Sequence, residues 1–465
     1  MSRPNIVLVL IDDLGWTDLG CYGSSFYETP CLDRLASEGV RFTHAYAAAP
    51  VCSPTRASIL SGRYPARLGL TTYLGSGQSR GRLIDAPYVD HLGLEETSLA
   101  STLKQHGYHT WHVGKWHLGP APYYPEAHGF DVNVAGSDWG HPRHGYFSPY
   151  HLDTLDDGPP GEYLTDRLTD EAIRLIQGRE DQNPFFLYLA HYAVHTPIEG
   201  PPELIHKYIH KAKSLGLDRV NALEEGGFFP TDERKGRRIV RRTLQSDVHY
   251  AAMVENLDAN LGRLFQALDD VGEAGDTMVI FTSDNGGLST AEGAPTCNAP
   301  LLEGKGWMYD GGLRVPLIVK WPGVTKEGRV CTTPVISPDF YPTILDLAGL
   351  ALKPEQHVDG ETFAGDLIGE KFLAERSIYW HFPHYANQGG TPGSAVRRGD
   401  YKLIEFYEDK RLELYDVVHD PGEEHDLAAK MAEKALALHA DLQQWRQALK
   451  ASLPSMNPEY HDEDG

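Results

Sequence analysis

Cys52-Ser53-Pro54-Thr55-Arg56 is where this sequence concentrates reactive chemistry. Pro54 suits the first turn of a helix, which puts Cys52 at a helix amino terminus, where exposed N–H groups stabilise negative charge and activate a thiolate or alkoxide. Arg56, one turn further on, brings a guanidinium to an anionic group held at the same end. By itself the pentapeptide fits a half-buried cysteine beside a structural arginine equally well. Carboxylates end two apolar runs: NIVLVLI (5–11) stops at Asp12-Asp13, and residues 278–282 stop at Ser283-Asp284-Asn285. Asp12, Asp13, Asp284 and Asn285 offer only hard oxygen donors, which suits calcium or magnesium better than zinc. Taken singly, Asp12 reads as a helix cap and Asp284-Asn285-Gly286 as a turn. Lys115 and His117 are two apart and share a face of an extended segment. His195 follows a third apolar run, 185–190, and Lys305 sits in EGKGWMYDGG. Each of these four also fits a surface lysine or a satisfied structural histidine, the class to which His109, His112 and His191 are assigned.

The elements that must position these residues are readable. Continuous apolar, β-branched runs mark strands buried on both faces of a parallel sheet, and pockets in such sheets lie at the carboxyl ends of the strands. Thr29-Pro30 and Ser337-Pro338 each place a cap before a first-turn proline, and Gly349 closes the second helix. Tyr250, Met253, Val254, Leu257, Leu261, Leu264, Phe265 and Leu268 form a helical stripe that should pack on the sheet. Beyond Asp359-Gly360, strand-like pieces at 377–381, 401–406 and 412–415 follow one another without helices, predicting an antiparallel sheet. A last amphipathic helix carries Leu427, Met431, Ala435, Leu438, Leu442, Trp445 and Leu449, and the tail from Pro454 is expected to fray. The expected fold is α/β: a large mixed, mostly parallel sheet flanked by helices over residues 1–360. A small C-terminal α+β subdomain, with an antiparallel sheet and a final helix, is expected over 370–465.

A length of 465 residues exceeds one ordinary domain and suits two unequal ones. With 42 basic against 65 acidic side chains the formal charge is -23, which opposes binding to nucleic acid or anionic membrane. An anionic substrate therefore needs a locally positive pocket. No stretch approaches the roughly 20 apolar residues that cross a bilayer. Met1-Ser2-Arg3-Pro4 runs straight into a strand, so the expected location is cytoplasmic as the sequence stands, or periplasmic or secreted if a leader has been removed. Five irregularly spaced cysteines (Cys21, Cys31, Cys52, Cys297, Cys331) point to free thiols rather than a disulfide framework.

The C-x-P-x-R pattern at Cys52, Pro54 and Arg56 resembles the signature of the type I sulfatases, and GYHTWHVGKWHLG at 107–119 is similar to a second signature of that family. The resemblance runs from Pro4 to about residue 415, through SDNGG at 283–287 and GGLRVP at 311–316; Ser61 departs from the commoner threonine before Gly62. It implies an alkaline-phosphatase-like fold and a sulfuric ester hydrolase. It also implies that a separate, transiently bound maturation enzyme oxidises Cys52 to formylglycine, an aldehyde working as its hydrate. Asp12, Asp13, Asp284 and Asn285 with that residue would hold one calcium ion, magnesium being the alternative. Arg56, Lys115, Lys305 and His195 would surround the sulfate, with His195 as general acid and His117 as partner of the formylglycine. Three cations and a metal would make the pocket positive despite the acidic surface.

Two rivals stand beside this reading. A phosphomonoester, phosphodiester or phosphonate hydrolase of the same superfamily commonly uses Ser or Thr with two metal ions, and only one ligand set is found here. A catalytically silent carbohydrate-binding relative should have lost Cys52, Arg56 or a metal ligand, and none is lost. Residues 137–151 and 379–385 combine aromatic and hydrogen-bonding groups, as sugar grips or as domain packing. The expected substrate is a sulfated saccharide or another organic sulfate.

Overall fold

The structure, a computed structural model, describes residues 3–461. Its main sheet has nine strands, the two at 329–331 and 335–336 pairing with different parts of Val40–Tyr46. From that edge the order runs through Arg314–Lys320, Thr277–Ser283, Asn5–Ile11, Phe185–Ala190 and His109–Gly114 to Val132–Val134. Arg314–Lys320 alone runs against its neighbours. Every residue of Asn5–Ile11 is buried. Val7, Val9 and Ile11 face one core with the helix Val248–Asp270, while Ile6, Leu8 and Leu10 face another. Helices on both faces leave no side for polar alternation, which is why these strands read as unbroken apolar runs.

Several local expectations need correction. Thr29 stands at the cap position of Pro30–Glu38, but its hydroxyl accepts from the Gly20 N–H and donates to Asp33, so it caps nothing. Ser337 is the first residue of a single 3-10 turn rather than a cap; its hydroxyl ties Ala48 N–H to the Tyr46 carbonyl. In both cases a proline already starts the helix, and the hydroxyl is spent on a neighbouring loop. Gly349 does follow the second helix at φ +65°.

The C-terminal sheet is a four-stranded antiparallel meander, Ser377–Phe382, Gly393–Arg398, Tyr401–Phe406 and Leu412–Asp416. Gly393–Arg398 escaped the sequence pattern because GSAVRR opens on Gly-Ser and closes on two charges, although Arg397 is buried. The last helix spans Ala432–Leu449, with Leu427 and Met431 packing from the turn before it. The tail does not fray at Pro454: Ser455–Met456 pair with Leu83–Ile84, and buried Asn457 donates to the Gly81 carbonyl. Two short strands gain order by pairing over a long sequence separation, which local propensity does not reveal. Among the described residues no helix is long and apolar enough to cross a membrane.

Where the C-terminal sheet meets the main one, buried Lys402 donates to Asp310 (2.8 Å) and Glu423 (2.9 Å). All three are enclosed, so Lys402→Met leaves Glu423 without its counter-ion and Asp310 with only the longer pair to Arg314 at 3.8 Å, which costs about 3–5 kcal/mol. The expected result is a clear fall in the denaturation midpoint and in the yield of folded protein. A variant as stable as the parent shows instead that the carboxylates are neutral or solvated there.

Candidate active site

Four adjacent strands end together at this site. Asp12 and Asp13 follow Asn5–Ile11, and Asp284 and Asn285 follow Thr277–Ser283, with Ile11 and Ser283 in register. His195 lies beyond Phe185–Ala190, and Lys115 and His117 beyond His109–Gly114. No helix begins after Asp12, so its reading as a helix cap fails. Opposite these ends, Cys52 opens the fully buried helix Cys52–Ser61, whose N-cap Val51 has no side chain to accept its first-turn N–H groups. That amino terminus is therefore set to receive negative charge from elsewhere.

Cys52 Sγ lies 3.3 Å from His117 Nδ1. Asp12, Cys52 and Asp284 bring ligand atoms within 4.8 Å of one another, as do Asp12, Asp13 and His195. Lys115 Nζ donates to Asp12 Oδ2 at 2.6 Å, and Lys305 Nζ donates to Asp13 Oδ2 at 2.7 Å. Arg56 donates from Nε to Asp284 Oδ2 at 2.9 Å, keeps Nη2 2.8 Å from the same atom, and donates from Nη1 to the Lys115 carbonyl. Asn285 Nδ2 donates to Asp13 Oδ1 at 2.8 Å. Two oxygens are left buried with no protein donor: Asp12 Oδ1 and Asn285 Oδ1. Hard oxygen atoms that are dehydrated and unpaired, next to three carboxylates, are what a calcium- or magnesium-like ion requires.

Burial dominates the protonation of these groups. It raises the Asp12 carboxyl well above the usual range against the pull of Lys115. It would do the same to Asp13, but the charge and hydrogen bond of Lys305 reverse the sign and hold that carboxyl low. Burial pushes the Cys52 thiol up, with Lys115 and Lys305 opposing. His117 and His195 are both held neutral by burial, with Lys115 adding to the effect at His117 and Lys305 at His195. The tautomer of His195 follows from its partners: Nδ1 faces the Thr196 carbonyl at 2.9 Å and must carry the hydrogen. Nε2 is then an acceptor for Lys305 Nζ, 2.9 Å away.

All the residues singled out in the sequence for this site thus meet: Asp12, Asp13, Cys52, Arg56, Lys115, His117, His195, Asp284, Asn285 and Lys305. They differ in exposure. Cys52, His117, His195 and Lys305 line a cavity of about 550 Å³, whereas Arg56 and Lys115 lie fully enclosed behind Asp284 and Asp12. His109 pairs with Asp181 away from the site. His112 and His191 are buried; His112 lies beside the Asn133 side chain and the Lys115 backbone, whereas for His191 the expectation of a satisfied ring fails, since neither nitrogen has a protein hydrogen-bond partner. Burial carries both to about 3, so they sit as neutral rings in the core.

The cavity wall holds residues that sequence reasoning missed: Tyr73, Glu292, Asn387 and Gln388. All come from irregular loops with no periodic signal. Of residues 137–151, Asp138, His141 and Arg143 face the cavity, and His141 stacks on His195 with ring centroids 5.9 Å apart. By contrast, the aromatics of 379–385 are spent on packing: Trp380 and Phe382 join the core between the two sheets, Tyr379 stacks on Trp445, and buried Tyr385 bonds Leu83 and Glu408. For that segment the packing reading holds and the sugar grip does not.

A family profile described as Sulfatase matches residues 4–350, and one described as N-sulphoglucosamine sulphohydrolase, C-terminal, matches 302–449. A protein named Sulfatase from Formosa agariphila is 34% identical over 96% of this chain and 89% of its own length. Human N-acetylgalactosamine-6-sulfatase is 30% identical over 98% of this chain and 88% of its own. The solved structure of Ps i-CgsB in complex with k-i-k-neocarrahexaose superposes with a TM-score of 0.77 at 26% identity, covering 100% of this chain and 96% of that one. Matched in sequence and fold along almost its whole length, the chain belongs to the sulfatase family, hydrolases of sulfate esters with the alkaline-phosphatase fold.

Proposed function

We propose that this sulfatase acts on a saccharide sulfate ester, with Cys52 oxidised to formylglycine as the nucleophile and one calcium ion held by Asp12, Asp13, Asp284 and Asn285. The observation that carries the reading is the placement of Cys52. Its Sγ sits at an uncapped helix amino terminus, against His117 and within 4.8 Å of carboxylate oxygens of Asp12 and Asp284, on the wall of an open cavity. The saccharide part is supported by the names of two similar proteins, an N-acetylgalactosamine-6-sulfatase and a structure holding a carrahexaose.

The ion supplies Lewis acidity to sulfate oxygens, and the formylglycine hydrate supplies a hydroxyl nucleophile with a second hydroxyl through which sulfate is later expelled. The remaining work falls to this chain's side chains. His117 Nδ1, neutral and aimed at the reacting atom of residue 52, takes the proton of that second hydroxyl. Lys305 lines the cavity and holds a sulfate oxygen. Arg56 and Lys115, enclosed behind carboxylates, fix Asp284 and Asp12 and contribute their charge from there. Lys305 Nζ, bonded to His195 Nε2, would give a proton to that nitrogen, from which it passes to the departing oxygen, leaving Lys305 neutral.

The test is release of sulfate by protein produced together with a formylglycine-generating enzyme, offered 4-nitrophenyl sulfate, 4-nitrophenyl phosphate, N-acetylgalactosamine 6-sulfate and sulfated carrageenan oligosaccharides, with and without calcium. Sulfate released from a saccharide, dependent on calcium, bears the reading out. Dominant phosphate release moves it to the phosphoester hydrolases. His195→Ala separates the acid role: a sugar alkoxide needs a proton to leave and nitrophenolate does not. Turnover of the saccharide should fall about 10²–10⁴-fold while 4-nitrophenyl sulfate loses far less. Equal losses on both would show that His195 binds sulfate rather than protonating the leaving group.

A further inference from the structure

Beside the active-site cavity stands a two-stranded hairpin, Leu223–Phe228 paired with Arg238–Arg242. Its foot is fixed between the two loops that form the cavity wall. Val240 accepts from the Ala291 N–H, and Arg242 N–H donates to Ser289 on one side. On the other side Ile239 presses on Gly389, where an added Cβ would meet its Cδ1 at 2.4 Å, and Arg234 donates to the Asn387 carbonyl. The stretch RKGRRIVRR at 234–242 holds six basic residues of nine, in a chain whose formal charge is -23.

Between the hairpin and the 291–294 turn lies a second cleft of about 300 Å³, lined by Arg234, Arg237, Arg238 and Phe229 and shared with the active-site cavity at Glu292. Three guanidinium groups face one carboxylate there, and that carboxylate already accepts from Gln388. Arg237 and Arg238 are exposed. Arg238 has one competing acid, Glu225 at 3.6 Å, an exposed pair that is weak by nature. The guanidinium of Arg234 sits 5.0 Å over the Phe229 ring and that of Arg238 4.5 Å over Phe228, which is itself 57% exposed. Guanidinium groups held over aromatic rings keep a fixed orientation and offer the anionic substituents of a sugar a bidentate donor.

We propose that this cleft is a second anion subsite, which receives a sulfate or carboxylate carried by the sugar next to the one being desulfated. The preferred substrate is then an oligosaccharide with more than one anionic group, and the inference rests on the saccharide reading above. Its position across Glu292 from the reacting centre means that it contributes to binding the chain of sugars and not to the chemical step. Loss of its charge should therefore appear in KM and in binding, with kcat preserved.

The experiment compares Arg237→Glu/Arg238→Glu with the parent and with Arg237→Lys/Arg238→Lys, which keeps the charge. Turnover of 4-nitrophenyl sulfate reports that each protein is folded and active. Binding of a carrageenan hexasaccharide and of a chondroitin sulfate hexasaccharide is measured by calorimetry on the Cys52→Ala background at two salt concentrations. The expected result is a loss of about tenfold or more in affinity for at least one hexasaccharide in the Glu pair, with a shallower salt dependence. The Lys pair should keep most of the affinity, and 4-nitrophenyl sulfate turnover should be unchanged. Hexasaccharide affinity unaltered by the Glu pair overturns the subsite while leaving the saccharide reading intact. If neither hexasaccharide binds or is desulfated, yet 4-nitrophenyl sulfate is hydrolysed, the saccharide reading fails and the subsite with it.

Discussion

Cys52→Ala will reduce sulfate ester hydrolysis to background, a loss of at least about 10⁴-fold in kcat, because the residue proposed to bond to sulfur is gone. The fold should survive. Cys52 is the first residue of its helix, and the hydrogen bond its Sγ makes is to His117, so alanine removes one polarisable atom and no buried charge. The denaturation midpoint should stay within a few degrees of the parent. A second arm uses unaltered chain produced without the maturation enzyme. An unconverted thiol that accepted the sulfate group would need water to attack sulfur again, so it cannot turn over as the hydrate does. Activity across preparations should therefore rise in proportion to the fraction of residue 52 found as aldehyde by mass spectrometry. A preparation with no aldehyde and full activity would remove formylglycine from the account, while leaving Cys52→Ala to decide whether the thiol itself reacts.

The parts of this site that could be read from the sequence are those whose position follows from a strand end. Asp12, Asp13 and Asp284 terminate runs that are apolar on every residue, and such runs exist only where helices cover both faces of a parallel sheet. Once neighbours are in register, the residues just past those ends must converge. Lys115, His117, His195 and Lys305 were placed by the family resemblance, and the structure brings them to the same spot. Tyr73, Glu292, Asn387 and Gln388 were not legible, because irregular loops have no period and are held by contacts with distant parts of the chain. The same limit hid Gly393–Arg398 and the pairing of Ser455–Met456 with Leu83–Ile84: partners far apart in sequence decide them. Nor does the sequence show that Arg56 and Lys115 are fully enclosed, with Arg56 paired to Asp284 and Lys115 to Asp12.

That pairing pattern makes the charge balance of the site a test of the cation. Asp12, Asp13 and Asp284 are matched one for one by Lys115, Lys305 and Arg56, with both histidines neutral. With all three carboxylates ionised, side chains alone leave the site near zero, and a divalent ion would turn it positive towards a sulfate monoester. For the parent protein, calcium at 100 times its dissociation constant stabilises by about 2.7 kcal/mol. At roughly 2.1 cal/mol/K of unfolding entropy per residue, that raises the midpoint of a chain of this length by about 3 °C. Asp284→Ala should abolish both sulfate release and that rise, and it should also lower the midpoint in the absence of calcium. The last effect comes from Arg56, whose fully buried guanidinium loses the carboxylate that Nε and Nη2 share, at about 3–5 kcal/mol. Asp284→Asn is the discriminating partner, because its amide oxygen still accepts from Arg56 while its charge is gone. It should keep more of the stability than the alanine variant and still lose most of the calcium response. If calcium raises the midpoint of the parent and of both variants equally, the ion binds elsewhere. Asp12 Oδ1 and Asn285 Oδ1, which have no protein hydrogen-bond donor, would then have to be satisfied by water, with the pocket drawing its substrate through Lys305 and Arg143.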